Sequence, residues 1–392
     1  MAFKREQIAK GICIMVIFVI SAGLFTHAYV AGKASDITSE HFNKSSVHTY
    51  NHEFSKVLFI PKSKTIATIG MDENSPNYLK LWDYSNANKI TFLKNSNIAK
   101  FGRASSMATN QTKDLFAVSE DSDLLDAQPY DLIDIYNIKT RKSIKRLKFN
   151  VNNKENLSSH EKIAFSPDGK FLIFSAFTLR IWNTQDWKLI ATVDASRYSE
   201  NKKQAEIVDY VISSDSKWVA TLTNTSEVRL WDIKSGQLLP NDQQPFGIIS
   251  NEHKFDPNTY NDSKIQVSSN GKFLYIIINF VYPHEAIYDI KKYKGVGVAF
   301  YKWDLTNHKL SSINLVKNFT FDAVAFSPDG KYFVMAGYNK SSEVSLWDLP
   351  SFFRIQTLVT GEGSYYDVDV SSDGDIAAAQ DDGELLLWQR KQ

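Results

Sequence analysis

One phrase recurs along this chain and constrains its fold more than any other feature: a short apolar strand that ends in an aromatic residue, usually followed by Asp or Asn. It reads LKLWD at 79–83, IDIYN at 133–137, LRIWN at 179–183, VRLWD at 228–232, FYKWD at 300–304, VSLWD at 344–348 and LLLWQ at 385–389. The aromatics Trp82, Tyr136, Trp182, Trp231, Trp303, Trp347 and Trp388 stand 54, 46, 49, 72, 44 and 41 residues apart. The shortest spacings match a unit of roughly 40 to 45 residues, enough for four short strands with their turns.

A second phrase precedes the later aromatics: Ser166-Pro167-Asp168-Gly169, Ser213-Ser214-Asp215-Ser216, Ser268-Ser269-Asn270-Gly271, Ser327-Pro328-Asp329-Gly330 and Ser371-Ser372-Asp373-Gly374. Pro presets φ at the second turn position, Asp or Asn caps its own backbone, and Gly accepts positive φ, so each phrase closes a tight hairpin. The flanks, KIAF and KFLIFSA around one turn and DAVAF and KYFVMAG around another, read as alternating half-buried strands. Each unit is therefore strand a, tight turn, strand b, loop, strand c with the aromatic, short turn, strand d. Regular short strands of this kind predict a closed all-β structure.

These residues resemble the WD-repeat β-propellers, and the resemblance covers roughly residues 47–392. It is clearest in the last two units, AFSPDGKYFVMAGYNKSSEVSLWD and VSSDGDIAAAQDDGELLLWQ. No Gly-His dipeptide occurs in the chain, so the His of the family's hydrogen-bonded tetrad is missing, while its Trp and some of its Asp residues remain. The resemblance implies a seven-bladed propeller of four-stranded blades serving as a non-catalytic platform for protein assemblies. The seventh unit runs out of chain four residues after Trp388, leaving its outer edge unpaired. The expectation is that 47–52, the β-permissive stretch Val47 to His52, pairs with the 385–388 strand and latches the ring.

Residues 1–34 stand outside the repeat, and 35–46 read as a linker to a single propeller domain at 47–392. Lys4, Arg5 and Lys10 precede an apolar run at 12–25, with Thr26-His27-Ala28 as a small-x-small cleavage site. This is the build of a signal peptide. The stretch 11–32 carries no Lys, Arg, Asp or Glu and is long enough to act as an uncleaved membrane tether. Both readings predict an exported, periplasmic, extracellular or outward-facing propeller. The one cysteine, Cys13, lies inside the apolar run, so no disulfide framework is expected.

Removing residues 1–28 takes Lys4, Arg5, Lys10 and Glu6 from totals of 45 basic and 44 acidic residues, leaving a charge near −1. That balance argues against nucleic acid as a partner. No H-E-x-x-H, G-x-S-x-G or Gly-rich phosphate loop occurs. No catalytic residue, cofactor or metal is therefore assigned. The acidic stretch Glu120, Asp121, Ser122, Asp123 with Asp126 lacks the glycine and terminal glutamate of a calcium loop, and His48 with His52 lies on a strand pattern.

The connections differ sharply in length. The a–b and c–d turns are short, whereas the long segments 121–131, 150–161, 194–205, 240–264 and 280–297 all belong to b–c or d–a connections. Loops on a rigid scaffold carry binding residues, so the working surface is expected on that face, engaging a protein or peptide partner. Candidate contacts are Tyr282, His284, Tyr288, Tyr293 and Lys294 in the fifth unit, extended by His253, Phe255 and Tyr260, since tyrosines among cations suit protein interfaces. The alternative is an enzyme or ligand-binding propeller with its site at the mouth of the central channel.

Overall fold

A strand whose residues are all apolar has to be covered on both faces, and sheets packed face to face around a ring give every sheet two covers. The computed structural model of the protein achieves this as a seven-bladed β-propeller, with seven antiparallel sheets following one another in chain order. It describes residues 42–48, 52–72, 75–86, 89–93, 103–110, 112–121, 130–140, 142–150, 161–176, 178–197, 205–225, 227–240, 263–281, 296–317, 319–337, 343–360 and 363–391. Blade one spans 52–92, blade two 103–150, blade three 162–193, blade four 207–232, blade five 263–317 and blade six 323–360. Blade seven combines 365–390 with the strand Phe42–His48.

Among the described residues the buried apolar side chains form seven clusters, and each cluster joins two successive blades. Strand b of blade three, Phe171–Ser175, shows how: Phe171 and Ile173 pack toward blade four, Leu172 and Phe174 toward blade two. Period-two alternation thus separates two apolar neighbours, not core from solvent. This corrects the expectation of half-buried strands for the b strands, since Phe171–Ser175, Tyr332–Ala336 and Ile376–Gln380 are buried at every position. The last cluster packs Phe54 and Trp82 of blade one against Ala377, Leu385 and Leu387 of blade seven, which closes the ring.

The latch exists, but in a different register from the one expected. Phe42–His48 pairs antiparallel with Glu384–Arg390, Val47 opposite Leu385 and Phe42 opposite Arg390, so part of the supposed linker 35–46 is strand. His52 instead opens strand a of blade one. The shift has a packing cause: Phe42 is buried against the blade six side and Val47 packs on the blade one side, so the earlier register covers both faces of the edge. Blade four also departs from the four-stranded pattern. Among the described residues its sheet has three strands, with an isolated bridge between Trp231 and Leu238 at the position of the fourth. Pro240 follows directly and has no N–H with which to extend the ladder.

The repeated phrases prove to be turn locks. In blade three the Ser166 hydroxyl donates to Asp168 (2.7 Å) and accepts from Phe171 N (3.0 Å), while Gly169 sits at φ 71°. Ser213, Ser268 and Ser327 repeat the arrangement. The residue after each aromatic caps the c–d turn: Asp83, Asn137, Asn183, Asp232, Asp304 and Asp348 each accept a backbone N–H two or three residues on. Gln389 stands at the matching position of blade seven. Its amide reaches blade one instead and donates to Tyr84 O at 2.9 Å. Three of the Trp indoles are satisfied by hydroxyls, with Trp82 donating to Thr68 (2.8 Å), Trp231 to Thr221 (2.9 Å) and Trp347 to Ser345 (2.9 Å).

Candidate binding surfaces at the two ends of the channel

Antiparallel order fixes which connections share an end. In every blade the a–b and c–d turns lie at one end of the sheet, and the b–c and d–a connections at the other. The five long segments therefore all leave from a single end of the ring. Their described portions include Asp194–Arg197, where Ala195–Arg197 forms one 3-10 turn and Asp194 accepts from Ser196 N and Arg197 Nε, both at 3.1 Å. The candidate residues His253, Phe255, Tyr260, Tyr282, His284, Tyr288, Tyr293 and Lys294 lie outside the described residues, as do residues 1–34 and the acidic 122–126 segment. His48 and His52 fall on different strands of neighbouring blades. Among the described residues no three His, Cys, Asp or Glu side chains are grouped to hold a metal ion, and no helix is long and apolar enough to cross a membrane.

Around the channel the innermost strands pose a problem, because each has a hydrogen-bonded neighbour on one side only. Side chains from the adjoining blade solve it. Asp367 and Asp369 of blade seven accept Val57 N (2.9 Å) and Phe59 N (2.7 Å) of blade one. Asp209 of blade four accepts Ile265 N (2.9 Å) of blade five and also Lys162 Nζ (2.7 Å) of blade three. Ser106 of blade two accepts Ile163 N (3.2 Å) of blade three. These inward carboxylates were not among the sequence candidates. The signal for them is an aspartate at an inner position of an otherwise apolar strand, as in Tyr365–Val370 and Ile207–Ile212.

At the short-turn end the channel widens into a cleft of about 410 Å³, lined by Phe59, Lys64, Tyr84, Pro328, Asp369 and Asp373 among others. Burial pushes the Asp369 carboxyl up to about 7; its bonds from Phe59 N and Val370 N pull the other way, and Asp367 beside it adds to the rise. Burial raises Asp367 as well. The atoms around these carboxylates crowd them, while both residues keep a partly exposed side toward the channel. Lys64 reaches Asp373 (2.9 Å) and Asp375 (3.0 Å) across the blade one and blade seven seam, and lies 5.3 Å above the Tyr84 ring. Burial, followed by the charges of Asp375 and Asp373, drives the Tyr84 phenol far above its ordinary value, so it stays protonated. A neutral phenol, a paired lysine and a carboxyl that titrates near neutrality make this end able to hold a polar or cationic group; among the described residues lining it, nothing forms a nucleophile–base pair.

No protein-family model matches the chain, and a search of curated proteins gives no match.

Proposed function

We propose that the protein is an exported, non-catalytic scaffold, of the kind that WD-repeat propellers represent, holding a protein or peptide partner through its b–c and d–a loops. The observation that carries this reading is the asymmetry of the ring. All the long connections leave from one end, while the other end is closed by turns locked with their own Ser, Asp and Asn side chains. A rigid ring that elaborates one end only is suited to present a broad contact surface. The export half of the proposal rests on the charged and apolar pattern of residues 1–34.

The test is simultaneous substitution of Tyr282, Tyr288 and Tyr293 by Ala, with affinity capture from host membranes read by mass spectrometry. Loss of the same captured partner, with an unchanged melting temperature, is the expected result. Retained capture removes this patch. A second reading is favoured by the channel-mouth cleft, whose volume falls within the range of small-ligand sites. It predicts a ligand whose affinity depends on Asp369 and not on the tyrosines.

A further inference from the structure

Two independent features give the ring an orientation. The first is where the chain enters it. Phe42 pairs with Arg390, the last residue of strand c in blade seven, so the latch strand begins at the short-turn end and runs toward the long-loop end. The described ring is therefore entered at its short-turn end, at Phe42. Nine residues separate Gly32 from Phe42, and fully extended they reach at most about 30 Å. Any surface holding the charge-free stretch 11–32 keeps the short-turn end close to it.

The second feature is charge. The chain's formal charge of +1 conceals an uneven distribution. At the short-turn end the serine turns are followed by Lys170, Lys217, Lys272 and Lys331, and the c–d turns add Lys139 and Lys188. The side chains of Lys139, Lys170, Lys188, Lys217 and Lys331 are 74, 71, 80, 78 and 71% exposed. Asp168, Asp215 and Asp329 beside them turn back into their own hairpins, each accepting the N–H of the lysine two residues on. The matching ammonium contacts, 3.2 to 3.4 Å long, and the pairs of Lys188 with Asp186 (3.3 Å) and Lys139 with Asp114 (2.6 Å) are all open to solvent and hold the lysines weakly. At the long-loop end the described strand ends carry Glu161, Glu206, Asp322, Asp382 and Glu384, while Lys162 there is already paired with Asp209.

We infer that the short-turn end is a docking face for anionic phospholipid headgroups, which turns the long-loop end away from the bilayer. Exposed ammonium groups held at one end of a rigid ring meet the negative surface potential together. A bilayer is chosen over a soluble polyanion because the charge-free stretch 11–32, where it is retained, is joined by nine residues to Phe42, which lies at the short-turn end. The inference adds an orientation to the proposed scaffold and does not depend on any partner being bound.

The test uses the full chain with vesicles of phosphatidylcholine alone or mixed equally with phosphatidylglycerol. Lysine modification by a water-soluble acylating ester is read by mass spectrometry. On the mixed vesicles Lys170, Lys217, Lys272 and Lys331 are expected to react about fivefold more slowly than on neutral ones, the partitioning gained per surface lysine. Lys148, exposed on the outer strand of blade two, is expected to react equally on both. Salt that shortens the Debye length to about 3 Å removes the protection. The variant carrying Lys170→Gln, Lys217→Gln and Lys331→Gln, at exposed positions whose loss leaves the melting temperature unchanged, loses protection at Lys188 and Lys272. Equal reaction on the two vesicle types overturns the inference, as does protection by soluble polyphosphate without protection by vesicles. Protection on mixed vesicles by a chain that does not sediment with neutral ones leaves the inference standing and removes only the tether reading of residues 11–32. Loss of partner capture with the lysine footprint intact removes only the scaffold reading.

Discussion

Asp369→Asn separates a charge effect from a hydrogen-bond effect at the seam that closes the ring. The carboxylate accepts Phe59 N at 2.7 Å, and an asparagine amide oxygen keeps that acceptor. What the substitution removes is a proton equilibrium. Burial raises the Asp369 carboxyl from its ordinary 3.8 to about 7, so between these values the folded ring binds a proton that the unfolded chain releases. The sign is opposite to that of a typical aspartate: the contribution to stability is fully present below about pH 3.8 and is lost as pH rises through about 7. A rise of that size sets a ceiling of about 4 kcal/mol over the whole window, of which about 2.7 kcal/mol falls above about pH 5, and the partial exposure of the residue to channel water reduces the effect expected between about pH 5 and about pH 8 to about 1–2 kcal/mol. Asp367 is raised by the same burial and adds in the same direction, with Lys56 and Lys264 opposing it. The assay is urea unfolding at about pH 5 and about pH 8, comparing the difference in stability for the native chain and for Asp369→Asn. The native chain is expected to lose stability at the higher pH, and the variant to lose markedly less. Identical pH dependence in the two proteins would falsify the assignment of a protonated carboxyl to this seam.

Deleting 42–48 removes the strand paired with Glu384–Arg390 and the contacts that Phe42 and Val47 make on its two faces, which is expected to cost about 3–5 kcal/mol, from one buried and one partly buried side chain and the exposed edge; an unchanged melting curve by calorimetry contradicts the latch. Gly169→Ala and Gly271→Ala form a matched pair, since both glycines have nearly the same φ of 71° and 70° but the added Cβ collides with Thr112 Oγ1 in the first and meets only Ser214 Oγ at 3.8 Å in the second. Both variants are expected to lose about 1 kcal/mol to backbone strain, with an additional loss at Gly169, and equal unfolding midpoints would show that the turn of blade three yields freely. Thr221→Val leaves the buried Trp231 indole N–H without its acceptor, an expected loss of about 1–3 kcal/mol measured by tryptophan fluorescence in urea.

The architecture was legible because it is written in local chemistry. Each aromatic with its following Asp or Asn marks a strand and the turn that the Asp or Asn caps, and each Ser-x-Asp-Gly phrase marks a hairpin whose hydrogen bonds run between residues a few positions apart. Signals of that range survive in any sequence reading, and repeated along the whole chain they specify a ring. The latch register was not of this kind. Val47 and Phe42 are chosen by what blades one and six present to the two faces of the last sheet, and FNKSS taken alone reads as polar linker.

The inward aspartates were hidden for the same reason. An N–H on the open edge of an inner strand is visible only once the strands are placed around a channel, and its acceptor comes from residues 310 positions away, as Asp367 and Asp369 do for Val57 and Phe59. The sequence by itself determined the number of blades, the strand order within them and the end from which the long connections leave, because these follow from period, turn chemistry and antiparallel alternation. Tertiary structure alone decided how the ring is sealed, which carboxyls are buried around the channel and at which end of the ring the latch strand begins. Those depend on side chains distant in sequence meeting in a low-dielectric space that no local pattern encodes.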